Sequence, residues 1–312
     1  MLKTFDQTIL AAVYGVPLQG LIDPDPEAIQ VSPLFPGALG ALEDFPAGTL
    51  AAMTMLAPPG TVERRYALAL TLRALAPGGV LTAMAPKDKG GARLRKELEA
   101  FGCTVEESAK AHHRICICTP PTRPIGLEEA IAEGAPRFVQ SLGLWSQPGV
   151  FSWNRIDPGS ALLAQNLPAL SGRGADLGCG VGYLSRAILT SPSVQTLTLI
   201  DNDRRAINAA RRNIADPRAA LLWADVTTTD LAHGLDSLDF VVMNPPFHDA
   251  GTEHRGLGQA FIRRAAQVLK PRGVCWLVAN RHLPYEAVLG EAFAKATVVV
   301  EQGGYKVFEA RR

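Results

Sequence analysis

At 312 residues, 47% hydrophobic and 20% charged, the chain has room for two domains with separate cores, which excludes a disordered segment or a disulfide-stapled miniature. A formal net charge of +1 excludes nucleic-acid binding driven by bulk charge, though not a local basic surface. The five cysteines are scattered, odd in number and without zinc-ligand spacing, and no run approaches the roughly eighteen apolar residues of a membrane span; no metal is expected, and a soluble protein of the reducing cytoplasm is.

Residues 9–16 are mostly apolar and follow Lys3, but Asp6 interrupts the basic region and no small-residue cleavage site comes after, so a first helix or strand is expected rather than a leader. Leu50–Leu56 is the next apolar run and ends in Ala57-Pro58-Pro59; a helix and the turn signal Pro77-Gly78-Gly79-Val80 come next. Lys87, Lys89, Arg93, Arg95 and Lys96, against Asp88, open a predicted helix, and a solvated face accounts for such a run more often than phosphate contact does. His112 and His113 lack metal-ligand spacing and read as strand residues. Thr119-Pro120-Pro121-Thr122-Arg123-Pro124 reads as a linker, because three prolines remove ladder donors, and residues 127–142 offer a connecting helix. The expected division is a domain over 1–124, a connection over 125–148 and a second domain over 149–312.

The second half alternates strands and helices. Apolar runs at 175–177, 197–200, Ala219–Trp223, 240–243 and 274–278 are separated by helical segments at 182–190, 203–214 and 254–269; in the last, Leu257, Phe261, Ala265 and Val268 share one face. Alternation of this kind implies a mostly parallel sheet covered on both faces.

The first half carries a fainter copy of this pattern. Pro58-Pro59 answers Pro245-Pro246 at an offset of 187 residues, and Pro77-Gly78-Gly79-Val80 answers Pro271-Arg272-Gly273-Val274 at 194, so seven extra residues, 248–254, are expected in the second copy. His113-Arg114-Ile115 likewise answers Tyr305-Lys306-Val307. Short matches also arise by chance, and the shared order is what favours a duplication. In this alignment Ala57 stands where the second copy has Asn244, and no Gly-x-Gly-x-Gly precedes it, so the first copy is expected to have lost its chemistry. The segment 248–254 is expected to form a lid.

Asp176-Leu177-Gly178-Cys179-Gly180-Val181-Gly182 sits where a strand passes into a helix. Glycines there admit positive φ and let backbone N–H groups approach a ligand, and the helix start adds partial positive charge. Asp201, beside Asn202 and 23 residues beyond Gly178, ends the next strand, where its carboxylate can accept hydrogen bonds from both hydroxyls of a ribose. A plain tight turn and a nicotinamide site are the competing readings. The latter wants Gly-x-Gly-x-x-Gly, whereas these glycines stand at 178, 180 and 182, and Asp176 suits an ammonium better than a pyrophosphate. After the third apolar run, Asp225 and Val226 are placed to meet an adenine, although Asp225 taken alone reads more readily as a helix cap or turn residue.

Asn244-Pro245-Pro246-Phe247 follows the strand at 240–243 and faces the carboxyl ends of a parallel sheet, where ligands bind. Its residue types fit the methylation of a planar amino group. The Asn244 side-chain oxygen and the Pro245 carbonyl can accept the two N–H groups, the prolines fix the backbone, and Phe247 can stack on the ring. No strong base is required, so His248 next door is not needed as one. The competing reading is a proline-stiffened turn with a capping asparagine.

The order Asp-x-Gly-x-Gly-x-Gly, Asp201, Asp225, Asn-Pro-Pro-Phe resembles the class I S-adenosylmethionine-dependent amino-methyltransferases. Gly149-Val150-Phe151-Ser152, Asp157-Pro158-Gly159-Ser160 with Leu162-Leu163, Asn280 with Leu283-Pro284-Tyr285, and Tyr305-Lys306-Val307-Phe308 narrow the resemblance to the ribosomal RNA guanine-N2 methyltransferases. That resemblance implies an α/β fold: a Rossmann-like domain with a mostly parallel seven-stranded sheet, preceded by a smaller, degenerate methyltransferase-like α/β domain. It implies S-adenosylmethionine as cofactor, held by Phe151, Asp157, Ser160, Asp176, Gly178, Cys179, Gly180, Gly182, Asp201, Asn202, Asp225, Val226 and Asn244. It implies catalysis by Asn244, Pro245, Pro246 and Phe247 on a guanine of ribosomal RNA, small-subunit before large, either naked or within an assembled subunit, with no obligate protein partner. Arg255, Arg263 and Arg281 are further candidates for RNA contact. An adenine-N6 or glutamine-N5 methyltransferase, or a silent ribosome-assembly factor, is the alternative.

Overall fold

Short apolar runs punctuated by glycine and proline build a sheet in each half of the chain. The computed structural model describes residues 10–228, 235–246, 248–249, 252–253 and 255–312, and divides into two units, Met1–Ala135 and Pro136–Arg312.

The first unit comprises β1 (Leu10–Tyr14), β2 (Ile29–Gln30), β3 (Leu50–Leu56), α1 (Thr61–Ala74), β4 (Leu75–Pro86), α2 (Ala92–Ala100), β5 (Glu106–Lys110), β6 (His113–Cys118) and α3 (Leu127–Gly134). The strand order is β2-β1-β3-β4-β6-β5, parallel through β4 and antiparallel beyond. The apolar start of the chain is thus a strand. The helix expected over 127–142 stops at Gly134, because Pro136 holds Ala135 extended (φ −68°, ψ 155°). It packs on α1, so it belongs to the first unit, and the unit boundary falls inside the connection expected over 125–148.

His112 is not a strand residue. Ala111 and His112 have φ of 46° and 60° and form the two-residue turn between β5 and β6, a turn whose right-handed strands demand positive φ at both positions. Replacing both by glycine is expected to stabilise the unit by about 1 kcal/mol, since the relieved left-handed strain exceeds the extra chain entropy of glycine. The urea midpoint would rise at unchanged m-value; no rise would refute the strain.

The second unit comprises β7 (Arg137–Val139), β8 (Leu144–Ser146), α4 (Pro158–Asn166), β9 (Gly172–Leu177), α5 (Tyr183–Ile188), β10 (Val194–Asp201), α6 (Arg204–Asn213), β11 (Ala219–Trp223), β12 (Leu238–Met243), β13 (His248–Asp249), β14 (Thr252–Glu253), α7 (Arg255–Val268), β15 (Leu269–Asn280), α8 (Tyr285–Ala292), β16 (Lys295–Gln302) and β17 (Tyr305–Arg311). Seven strands run β11-β10-β9-β12-β15-β17-β16, with β17 antiparallel to both neighbours. The period-two geometry of a strand sends Val241, Met243, Cys275 and Leu277 into one core, with Phe261 and Ala265 of α7, while Phe240, Val242, Trp276 and Val278 enter the other, with Leu184 and Ile207. Burial on both faces is why these strands read as continuous apolar runs.

The two sheets share one topology, the first having no counterpart of β11 among the described residues. They also share one irregularity: Leu50 pairs with Leu75 and Ala52 with Val80, as Leu238 pairs with Leu269 and Phe240 with Val274. In both, the following glycine (Gly79, Gly273) lies so close to carbonyl oxygens, Leu50 in one and Leu238 in the other, that no Cβ would fit. The turn formed by Ala111 and His112 recurs as Gly303 and Gly304, both at positive φ. The register corrects the alignment read from the prolines. Leu50 corresponds to Leu238, an offset of 188, and Leu75 to Leu269, an offset of 194, so the second copy gains six residues rather than seven. Asn244 then corresponds to Leu56 rather than Ala57; matching the Pro-Pro pairs by letter slips the strand by one, which inverts every side chain. By the same register Asp176 corresponds to Val13 and Gly178 to Gly15, whose φ values are 73° and 79°. The first copy thus keeps one glycine of the loop and has lost its carboxylate and its amide.

Candidate active site

Strand register sets the layout of the site. Leu177 of β9 lies between Ile200 of β10 and Met243 of β12, so Gly178, Asp201 and Asn244 emerge at the carboxyl end of the sheet, the glycine loop between the other two. The loop is pinned from below: the N–H groups of Gly178 and Cys179 donate to the Ile200 carbonyl (2.8 and 2.9 Å), and that of Gly180 to Asp201 Oδ2 (2.8 Å). Gly178, Gly180 and Gly182 all have positive φ, and a Cβ built on Gly180 would meet nothing within 4 Å, leaving open space above the loop for a ligand.

Two carboxylates underlie this space. Asp176 is wholly buried; its Oδ2 accepts from the Ser185 hydroxyl (2.6 Å), and its Oδ1 has no hydrogen-bond partner. Burial pushes its pKa up to about 7, against the lowering effect of Ser185. Asp201 accepts from Gly180 and, through Oδ1, from the Asp203 N–H (2.8 Å), and burial pushes it up to about 6. Each Asp201 oxygen keeps a further lone pair for a hydroxyl donor. The buried Asp176, the half-buried Asp201 and the open glycine cradle fit a cationic nucleoside cofactor.

Asn244 is the most constrained side chain of the site. Its Nδ2 donates to Asp157 Oδ2 (2.9 Å) and to Ser160 Oγ (2.9 Å). An ionised carboxylate only accepts, so Asp157 fixes which end of the amide faces it and turns Oδ1 the other way. Asp157 in turn caps α4, accepting from the Ser160 N–H (2.7 Å), with Pro158 at the first helical position. Asp157 and Ser160, expected to help enclose the cofactor, both meet Asn244. Asp followed by Pro is a local helix-start signal that marks this cap, whereas the partner 87 residues away leaves no local signal.

Other expected residues fall in varied places. The side chain of Cys179 is buried in the core, its pKa raised by burial; its N–H donates to the Ile200 carbonyl and its C=O accepts from the Gly182 N–H (2.9 Å each). Asp225 Oδ1 accepts from the N–H and hydroxyl of Thr227 (both 2.7 Å), which is the turn-residue reading. Val226 is buried and its carbonyl accepts from Arg264 (3.0 Å). The Asn202 carbonyl accepts from the Trp223 indole (2.9 Å). Phe151 is 59% exposed, next to Val150, which packs against Val181 of the loop. The Pro246 carbonyl faces Gly258 of α7. Phe247 and the side chain of His248 lie outside the described residues, as do residues 250, 251 and 254 of the expected lid, of which the His248–Glu253 and Asp249–Thr252 backbone pairing is described. In the basic run, Arg95 pairs with Glu99 (2.8 Å); near the site, Arg263 lies 4.0 Å from Glu291 and Arg281 3.7 Å from Glu301. Among the described residues no cluster of three metal-ligating side chains occurs and no helix is long and apolar enough to cross a membrane.

Residues 141–309 match the methyltransferase small domain family. The chain is 32% identical over 291 residues to the ribosomal RNA small subunit methyltransferase C of Pseudomonas aeruginosa (strain LESB58), covering 92% of this chain and 86% of that one. It is 36% identical over 161 residues to the protein of the same name from Shewanella sp. (strain MR-4), covering 51% of this chain and 46% of that one; the chain spans about half the length of such relatives. The fold is shared over its whole length with the T. thermophilus 16S rRNA N2 G1207 methyltransferase (RsmC), solved in complex with AdoMet and guanosine, at a TM-score of 0.76, 23% identity and 90% coverage of that chain.

Proposed function

The chain belongs to the methyltransferase small domain family and to that of the ribosomal RNA small subunit methyltransferase C proteins, and on that premise we propose that it methylates the exocyclic N2 amine of a guanine in small-subunit ribosomal RNA, in the cytoplasm and without an obligate protein partner. The observation that carries this reading is the Asn244 amide, locked by Asp157 and Ser160 through its nitrogen, at the end of the strand next to the one that leads into the glycine loop. S-adenosylmethionine supplies a methyl group on a positively charged sulfur. The glycine loop would hold it with Asp201, Phe151 and the segment Asp225-Val226, while buried Asp176 supports the loop from beneath. Asn244 Oδ1 accepts one amine N–H and the Pro245 carbonyl the other, which directs the nitrogen lone pair toward the methyl donor. Because both acceptors are fixed before the substrate arrives, their orientation costs little at the moment of reaction. The nitrogen becomes acidic as it gains the methyl, and its proton passes to water. The guanine must leave its stack to reach this turn, at a cost of a few kcal/mol.

Labelled S-adenosylmethionine offered with small-subunit RNA, adenine-containing DNA and a glutamine peptide tests the substrate class. Label confined to RNA is expected; label in DNA or peptide would move the reading to another amine.

The raised carboxylates make cofactor binding pH-dependent. In the free protein Asp201 and Asp176 hold protons up to about pH 6 and 7. The cationic cofactor favours their ionised forms, so binding expels protons below pH 7, and Kd rises as pH falls from 7 toward 5. The rise approaches tenfold per pH unit for each carboxylate that must ionise. Without cofactor the sign is opposite: the native state holds protons that the unfolded state has lost, so these two groups lower stability as pH rises from about 4 to about 7. Calorimetry in buffers of different ionisation enthalpy counts the protons released. A Kd flat from pH 5 to 8 would contradict the linkage.

A further inference from the structure

Beside the active site, the second unit carries a surface that the reaction itself does not use. In the short β7–β8 hairpin Phe138 lies opposite Trp145, rings 6.4 Å apart and edge to face, and Phe138 is 50% exposed. The exposed Arg212 of α6 lies over the Trp145 ring at 4.6 Å. The other end of the same helix repeats the arrangement, with Arg204 over Trp223 at 5.5 Å. Helix α6, Arg-Arg-Ala-Ile-Asn-Ala-Ala-Arg-Arg-Asn, contains four arginines and no acidic residue, in a chain whose net charge is only +1. Arg205 is buried against its N-cap Asp203 (2.9 Å), which leaves Arg204, Asn208, Arg211 and Arg212 as the outer polar face.

This surface is rigidly joined to the cofactor loop. Asn213 accepts from the Trp145 N–H (2.8 Å), donates to the Trp145 carbonyl (2.9 Å) and donates to the carbonyl of Val181 in the glycine loop (2.9 Å). One side chain therefore sets the hairpin against both the helix and the loop. A solvated basic helix would explain the arginines, and a small hairpin core would explain Trp145. Neither explains why the half-exposed Phe138 and the guanidinium of Arg212 converge on one ring, or why acidic residues are absent from the helix. Flat guanidinium planes over aromatic rings, on a positive face, are the chemistry that receives the bases and phosphates of an unpaired nucleic-acid strand.

We propose that Phe138, Trp145, Arg211 and Arg212 form a stacking and phosphate-binding platform for single-stranded RNA flanking the target guanine. The inference rests on the RNA reading above and extends it to the partner's conformation: an extruded guanine leaves unstacked neighbours, and the platform is continuous with the loop beside which that guanine would react.

The test uses the full chain carrying Arg211→Gln with Arg212→Gln, and separately Phe138→Ser, all exposed positions. Anisotropy of a labelled single-stranded small-subunit RNA fragment is measured against salt, beside methyl transfer to small-subunit RNA and calorimetric cofactor affinity. For the arginine pair the expected result is RNA Kd and KM raised on the order of tenfold near physiological salt, a salt slope shallower by about 1.4, and unchanged kcat and cofactor affinity. Phe138→Ser is expected to raise Kd several-fold at unchanged salt slope, since stacking is not a counterion effect. RNA affinity and slope equal to wild type in both variants would overturn the platform, and so would loss of cofactor affinity, which would make these residues structural. An unmodified protein that binds RNA through the platform yet methylates none would sink the proposed reaction and leave the platform standing.

Discussion

Replacing Asn244 by alanine is expected to lower kcat for methyl transfer by about 10²–10³ while leaving cofactor affinity within a few-fold, because it removes one fixed acceptor at the reacting centre. Asp157→Ala is expected to reproduce much of that loss without touching the asparagine. Without the carboxylate, Ser160 can either donate to or accept from the amide, so Oδ1 no longer has a single direction. Asp157→Ala also removes the α4 cap, costing about 1 kcal/mol of stability, and the two effects separate. Asp157→Ser keeps a capping oxygen but no obligate acceptor, so it should recover the melting temperature and not the rate. Single-turnover kinetics at saturating cofactor measures the chemical step directly. A wild-type rate in Asp157→Ser would show that the capping interaction alone matters.

Arg64→Met is expected to destabilise the first unit by roughly 3–5 kcal/mol, the cost of leaving a buried carboxylate without its partner. Arg64 is 1% exposed and Glu97 8%, and they meet through two parallel bonds of 2.7 Å each. The remaining guanidinium nitrogen donates to the carbonyls of Pro58 and Pro59 (3.1 and 2.8 Å). By strand register these carbonyls belong to the turn that in the second copy carries Pro246 and Phe247. The counterpart of Pro245 is Ala57, one position earlier, so the arginine ties down the turn just beyond it. Urea denaturation of the full chain would show the first unit's transition shifted to much lower denaturant. Adding Glu97→Leu should restore most of the loss, because an apolar pair of similar volume removes the stranded charge. A single variant as stable as the parent would mean that the pair contributes nothing net.

Much of the second unit was legible in the sequence, for identifiable reasons. Strands buried on both faces, such as β12 and β15, announce themselves as apolar runs, and α7 shows its face through Leu257, Phe261, Ala265 and Val268. Positive φ at Gly178, Gly180 and Gly182 and the placement of Asp201 and Asn244 follow from strand-to-helix turns at one end of a parallel sheet. What the sequence hid was contact between distant segments. Nothing local tells Asp157 that it meets Asn244, or that the Cys179 side chain is buried while Gly180 beside it faces open space. The helix expected over 127–142 ran too far because its apolar spacing outweighed Pro136. The duplication was legible in order but not in register, since Pro-Pro pairs can be matched with a slip of one residue that only ladder pairing resolves.

The central claim, transfer of a methyl group to a guanine amine held by Asn244, is tested most directly by nucleoside digestion of small-subunit RNA after incubation with labelled S-adenosylmethionine, using naked RNA and assembled subunits in parallel. The predicted result is label in N2-methylguanosine alone, from at least one of the two RNA forms, and its loss with Asn244→Ala. Label in another nucleoside, or no label in either form despite measurable cofactor binding, would contradict it.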